Sequence, residues 1–367
     1  MEVRMVEITK EMMTEIGYDL DRITEPCECL FFDIETTGFS ADRAFVYLIG
    51  CVYQQSGRWW YTQWLAEEQT QEEEVLNAFF AFSESFRYLL HFNGDTFDIP
   101  FLTKRADIWG IASPFKQLES LDLYRMIKPF RRQLGLDSCK QKSLERFLNI
   151  HREDQFSGGE LIPVYLEYEK TGSRRARDLV LLHNADDLAG MLMILPVLNY
   201  RDFFDGDFVL EHSCMQEYRT LQGDLRRELY LTYRSKVSVP VPFTANLEHW
   251  YMSVKGNVLK LRIALFEGEL KHFYPNYRDY YYLTVEDTAI HKSVAEFVNK
   301  EYRKKATAKT CYTKHSGIFL PQPSEIITPC FQREYKDKLF FAAYDERLFE
   351  DAGRWEQYLH ALIGKSV

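Results

Sequence analysis

No run of about 18 consecutive apolar residues occurs in the 367-residue chain, so no membrane span is expected. The opening residues, Met1-Glu2-Val3-Arg4-Met5-Val6-Glu7, lack the basic-then-apolar order of a secretory signal, and a cytoplasmic protein is the expectation. Cysteine is sparse. The seven residues Cys27, Cys29, Cys51, Cys139, Cys214, Cys311 and Cys330 are odd in number and scattered, which argues against a disulfide framework. The close pair Cys27-x-Cys29 has one intervening residue, too few for a zinc knuckle. Internal repeats and low-complexity linkers are missing too, and the length suggests about two folded domains.

A basic surplus is also lacking. The formal net charge is −10, which weighs against tight nonspecific duplex binding. The acidity is local: residues 1–204 hold 33 Asp and Glu against 22 Lys and Arg, whereas residues 205–367 hold 22 against 23. Part of it lies in a run that reads as exposed, Glu67-Glu68-Gln69-Thr70-Gln71-Glu72-Glu73-Glu74.

What is present is a β-rich start followed by alternating elements. Residues 1–27 read as a short helical lead-in. Strand-like runs follow at 29–35, 44–53 and 58–65, the last two joined by Gln54-Gln55-Ser56-Gly57. Helical spacing at 72–86 precedes strand 88–92, helix 99–109 and strand 118–123. The rest to about 200 reads as helices broken at Ser157-Gly158-Gly159. This predicts an α/β domain with a mixed five-stranded sheet flanked by helices over 28–204, divided near Asp205-Gly206-Asp207 from a smaller α+β domain over 205–367. In that second domain β-like runs lie at 229–233, 250–266 and 280–283. A helix is expected from Glu286-Asp287, with Ile290, Val294, Phe297 and Val298 on one face.

Three segments carry candidate chemistry. In Phe32-Asp33-Ile34-Glu35-Thr36-Thr37-Gly38 two carboxylates stand at i and i+2, on the same face of a strand end. Burying both without a counter-charge is costly, and hard divalent cations are their natural partners. A frayed, solvated strand end would need no such partner. In Asn93-Gly94-Asp95-Thr96-Phe97-Asp98-Ile99-Pro100, Asp98 falls near a helix start, where a capping role is the simpler alternative. In His183-Asn184-Ala185-Asp186-Asp187, His183 and Asp187 share a helix face.

In this order the three segments resemble the three exonuclease motifs of the DEDD superfamily of ribonuclease-H-like nucleases, over about residues 28–200, and most resemble the bacterial YprB-like family. Ser120-Leu121-Asp122-Leu123-Tyr124 and Lys142-Ser143-Leu144-Glu145-Arg146-Phe147-Leu148 belong to the same likeness. The resemblance implies a nuclease with two divalent ions, Mg or Mn, held by Asp33, Glu35, Asp98 and Asp187, with Asp33 bridging the pair. One ion would activate a water and the other would stabilise the leaving oxygen. His183 matches the general base, a role suited to an imidazole titrating near pH 6.5 when unperturbed. Here the chain departs from the pattern, because superfamily histidines usually precede the last aspartate by five residues, and four-residue spacing usually goes with tyrosine. Asp186 is the alternative fourth acid. The implied activity is 3′→5′ exonucleolytic, on single-stranded or end-frayed DNA or RNA. A structure-specific endonuclease and a non-catalytic nucleic-acid-binding module are the alternatives.

Thr36 and Asn93 beside the acids are expected nucleic-acid contacts. So are Lys304 and Lys305, from a stretch in which Lys300, Arg303, Lys304, Lys305, Lys309 and Lys314 oppose only Glu301, with Tyr302 and Tyr312 between them. Tyr280-Tyr281-Tyr282 reads as strand packing, and the second domain as a candidate site for a protein partner.

Overall fold

Residues 5–151, 156 and 158–366 are described by the computed structural model, and the chain falls into two units, Met1–Arg201 and Asp202–Val367. In the first unit the strands are β1 (Val6–Glu11), β2 (Cys29–Thr36), β3 (Val46–Gln55), β4 (Arg58–Leu65), β5 (Tyr88–His91) and β6 (Glu119–Asp122), lying side by side in the order β1-β4-β3-β2-β5-β6. The pairs up to β2 are antiparallel, whereas β2, β5 and β6 run parallel. This is the mixed sheet that the order of strand and helix runs predicted, with one strand more than the five expected. The extra strand is β1, where a helical lead-in was expected. Its residues pair with β4 from Val6 opposite Leu65 to Glu11 opposite Trp60. Only one side of it touches the body, so Val-Glu-Ile-Thr-Lys-Glu shows weak apolar alternation.

Helices cover both faces: α1 (Glu72–Ser83), α2 (Asp98–Trp109), α3 (Leu123–Ile127), α4 (Gln141–Phe147), α5 (Gly158–Thr171) and α6 (Arg174–Met193). Alternation along β2 assigns the faces. Leu30, Phe32 and Ile34 join a core with Val75, Phe79 and Phe101 of α1 and α2. The opposite face packs Tyr47, Leu48 and Leu65 against Tyr165 of α5 and Val180 of α6. Gly158 and Gly159 open α5, and Ser157, the first residue of the expected break, lies outside the described residues. The helical run Arg174–Asp205 is long and apolar enough by composition to cross a bilayer, yet 56% of its most apolar stretch is buried within the protein.

The acidic run before α1 is not wholly solvated. Glu72 is fully buried and forms an ion pair with Arg105 of α2. Its carboxylate also accepts from Val46 N at 2.8 Å and Trp109 Nε1 at 2.8 Å, so one buried charge ties α1, α2 and β3 together.

After α7 (Leu198–Asp205), the second unit is β-rich. A five-stranded antiparallel sheet has the order β7-β8-β11-β10-β9, from β7 (Phe208–Arg219), β8 (Leu225–Ser235), β9 (Phe243–Leu247), β10 (Trp250–Lys255) and β11 (Val258–Ala264). The run at 250–266 is thus broken by a hairpin at Gly256, whose φ of 58° is left-handed. A four-stranded sheet contains β12 (Phe266–Phe273), β16 (Tyr312–Gln322), β17 (Cys330–Phe331) and β18 (Phe340–Ala343), and a three-stranded sheet contains β13 (Tyr280–Leu283), β14 (Thr288–His291) and β15 (Arg303–Lys305). The helix expected from Glu286 is absent. Asp287 turns the chain at φ 52°, Ile290 lies in β14, and helix is limited to α8 (Lys292–Ala295). Val294 and Phe297 are exposed, so the apolar spacing there does not mark a core face. The terminal helix α9 (Ala352–Ser366) buries Trp355 and Tyr358, and Tyr358 Oη accepts from Trp250 Nε1 at 2.7 Å while donating to Pro321 O at 2.6 Å.

Candidate metal centre

Asp33 and Glu35 leave the α6-facing side of β2, two residues apart, just before a bulge between Glu35 and Thr36. Glu35 is 6% exposed. His183 of α6, 2% exposed, places Nε2 at 3.5 Å from Glu35 Oε1 and 3.3 Å from Asp187 Oδ2. One ligand atom from each of Glu35, His183 and Asp187 lies within 4.8 Å of the others. Asp186, the alternative acid, is the adjacent helix position, turned about 100° from Asp187.

Asn184 binds the same helix to Asp33. Its Nδ2 donates to Asp33 Oδ2 at 3.1 Å, and its Oδ1 accepts from Gln63 Nε2 at 2.9 Å. The approach depends on Gly50, the residue opposite Asp33 on β3. A Cβ there would stand 1.9 Å from Asn184 Oδ1 and 2.8 Å from Leu188 Cδ1. Neither Asn184 nor Gly50 was given a role from sequence. The available signal was a glycine inside an apolar strand, which often marks a close approach. The first turn of α5 borders the site as well, since a Cβ on Gly158 would lie 3.8 Å from Glu35 Oε2. Across from it Tyr47 stacks on Tyr165 with centroids 3.9 Å apart. Burial, and then the charge of Glu35, push the Tyr47 phenol up, keeping it neutral.

Asp98 begins α2 and is 9% exposed. Burial pushes its carboxyl up to about 7, and the charge of Asp122 adds to this. The backbone N–H groups of Asp98 itself and of Ile34 oppose the rise. The Asp98 carboxyl therefore meets β2 at the residue between Asp33 and Glu35. The loop before it is built by Asn93, left-handed at φ 65°, whose N–H donates to Asp122 Oδ1 at 2.9 Å. The Tyr124 N–H donates to the same oxygen at 3.0 Å, while the buried Asp122 Oδ2 has no hydrogen-bond partner among the described residues and faces Arg125 Nε at 3.8 Å. His91 Nδ1 accepts from Gly94 N at 3.0 Å, and burial pulls the His91 imidazole below its usual range.

His91, Asp95 and Asp122 form a second close group. Arg125 Nη1 stands 2.7 Å from Asp95 Oδ2 and already supplies positive charge there, so this group supports the turn carrying Asp98. Thr36 donates its hydroxyl to Gly38 O at 2.9 Å at the end of β2. Lys304 and Lys305 stand exposed on β15, in the second unit.

The donor set suits a hard divalent cation. Carboxylate oxygens dominate, one imidazole joins them, and Asp98 is a buried acid whose charged form two backbone N–H groups stabilise only in part.

Residues 30–199 match the family model of the RNase_H superfamily. Among solved structures, the chain is similar to the family B DNA polymerase from the hyperthermophilic archaeon Pyrobaculum calidifontis, at 17% identity and a TM-score of 0.39, over 55% of this chain and 29% of that one. It is similar to the zinc-bound complex of E. coli exonuclease I with single-stranded DNA, at 12% identity and a TM-score of 0.28, over 56% and 54% of the two chains. E. coli exonuclease I with a dT13 oligonucleotide matches at 10% identity and a TM-score of 0.28, with the same two shares of 56% and 54%. The chain thus spans under a third of the polymerase and about half of the exonuclease. No curated protein matches it. By its mixed sheet and this family match, residues 30–199 have a ribonuclease-H-like fold.

Proposed function

We propose that the first unit is a metal-dependent nuclease of the DEDD type, within the YprB-like group, that trims single-stranded or frayed DNA or RNA from the 3′ end. The observation that carries this reading is the convergence of Glu35, His183 and Asp187 within 4.8 Å, with Asp33 tied to the same helix and Asp98 against Ile34. Asp33, Glu35, Asp98 and Asp187 would hold two Mg²⁺ or Mn²⁺ ions, which supply charge stabilisation at the phosphoryl group and an acidified water. His183 takes the proton of the attacking water at Nε2, after exchanging its contacts with Glu35 and Asp187. Asn184 keeps Asp33 oriented, and Thr36 and Asn93 position the terminal nucleotide. Lys304 and Lys305 attract the strand by charge.

Incubation of 5′-labelled single-stranded DNA and RNA with Mg²⁺, Mn²⁺ or EDTA tests the reading. A ladder shortening from the 3′ end is expected with metal and none with EDTA. A few internal products would instead assign a structure-specific endonuclease, and binding without turnover a non-catalytic module.

A further inference from the structure

The second unit carries an aromatic groove, and the proposed function uses only Lys305 of its lining. Two cavities, of about 520 Å³ and about 320 Å³, meet at Tyr277, which lines both. Tyr274 belongs to the larger and Tyr280 to the smaller, and the two rings stack with centroids 5.0 Å apart and planes 12° from parallel. Aromatic surface therefore continues across the junction. The smaller cavity adds Arg278, Lys292 and Lys305, with no acid in its lining among the described residues, while the larger includes Glu325. Lys292 is held by Asp279 at 2.9 Å. Arg278 and Lys305 are exposed, and among the described residues neither has an ion-pair partner.

We infer that this groove binds a single-stranded segment of nucleic acid, with bases against Tyr277 and Tyr281 and phosphates beside Arg278 and Lys305. Stacking on aromatic faces combined with cations along the backbone is how unpaired strands are held without reading sequence. An apolar or proline-rich peptide would use the rings, but it would leave two cations unmatched at one end. In a chain of net charge −10 a local site with cations and no lining acid favours a polyanion. The choice of ligand class rests on the nuclease reading.

The test is fluorescence anisotropy of a 5′-fluorescein oligo-dT with the full chain in EDTA, over a series of salt concentrations. Tyr277→Ala should weaken binding about tenfold, and Tyr277→Phe should restore it. The double variant Arg278→Gln/Lys305→Gln should reduce the slope of log K against log salt by about 1.4, two cations at roughly 0.7 each. Unchanged affinity for Tyr277→Ala, or an unchanged slope for the double variant, overturns the inference. So does a proline-rich peptide whose binding alone is lost in Tyr277→Ala. Cleavage is scored separately with Mg²⁺. A chain that binds through these residues but cuts nothing removes the nuclease reading and leaves the groove. A chain that cuts while the variants bind normally removes only the groove.

Discussion

Asn184 donates to Asp33 across 151 positions of sequence, Nδ2 to Oδ2 at 3.1 Å, and the same side chain accepts from Gln63. It fixes the spacing between β2 and α6, the two elements that carry Asp33, Glu35, His183 and Asp187. Gly50→Ala should force these elements apart, because the new methyl meets Asn184 and Leu188 below contact distance. The expected cost is roughly 1–3 kcal/mol of stability. Urea unfolding read beside cleavage should show activity falling more steeply than stability.

The acids themselves give a sharper outcome. Asp33→Ala and Asp187→Ala should lower cleavage by several orders of magnitude while leaving the far-UV spectrum intact. His183→Ala should cost about 10²–10⁴-fold. A rate unchanged in His183→Ala would take the imidazole out of the proton transfer and leave the carboxylates in place.

Asp98 predicts a pH dependence of the metal-free protein. In the folded chain its carboxyl keeps a proton up to about pH 7, whereas the ordinary value is 3.8. The folded state then binds more protons between those values, so its stability is full at low pH and declines as pH rises through them. Each unit of separation corresponds to about 1.4 kcal/mol. Melting temperatures in EDTA should fall from pH 4 to pH 7, and Asp98→Asn should flatten that slope. Saturating Mg²⁺ should flatten it too.

The buried pair Glu72–Arg105 is a structural prediction independent of chemistry. Arg105→Ala strands a fully buried carboxylate and should cost about 3–5 kcal/mol by urea denaturation. The double variant Glu72→Gln/Arg105→Met should recover much of that loss, because the amide oxygen can still accept from Val46 or Trp109 while the buried charge is gone.

Strand alternation placed Asp33 and Glu35 on one face, and helix spacing placed His183 and Asp187 on another. Their assignment to one metal set came from the resemblance of the three motifs, taken in order, and not from spacing. Glu72 was not legible, since its neutralising Arg105 lies 33 residues on and nothing in an acidic run singles it out. The β14 segment was misread because Ile290, Val294 and Phe297 imitate helix spacing, although Val294 and Phe297 face solvent. Spacing alone does not say which residues a fold will bury.

β1 has a consequence for solubility. Without it β4, Arg-Trp-Trp-Tyr-Thr-Gln-Trp-Leu, would present an open, aromatic rim of amide and carbonyl groups to any extended chain nearby. β1 occupies that rim and substitutes its own outer margin, which carries Glu7, Lys10 and Glu11. Charges of both signs there disfavour growth by strand addition, so six residues near the N-terminus guard the sheet against self-association.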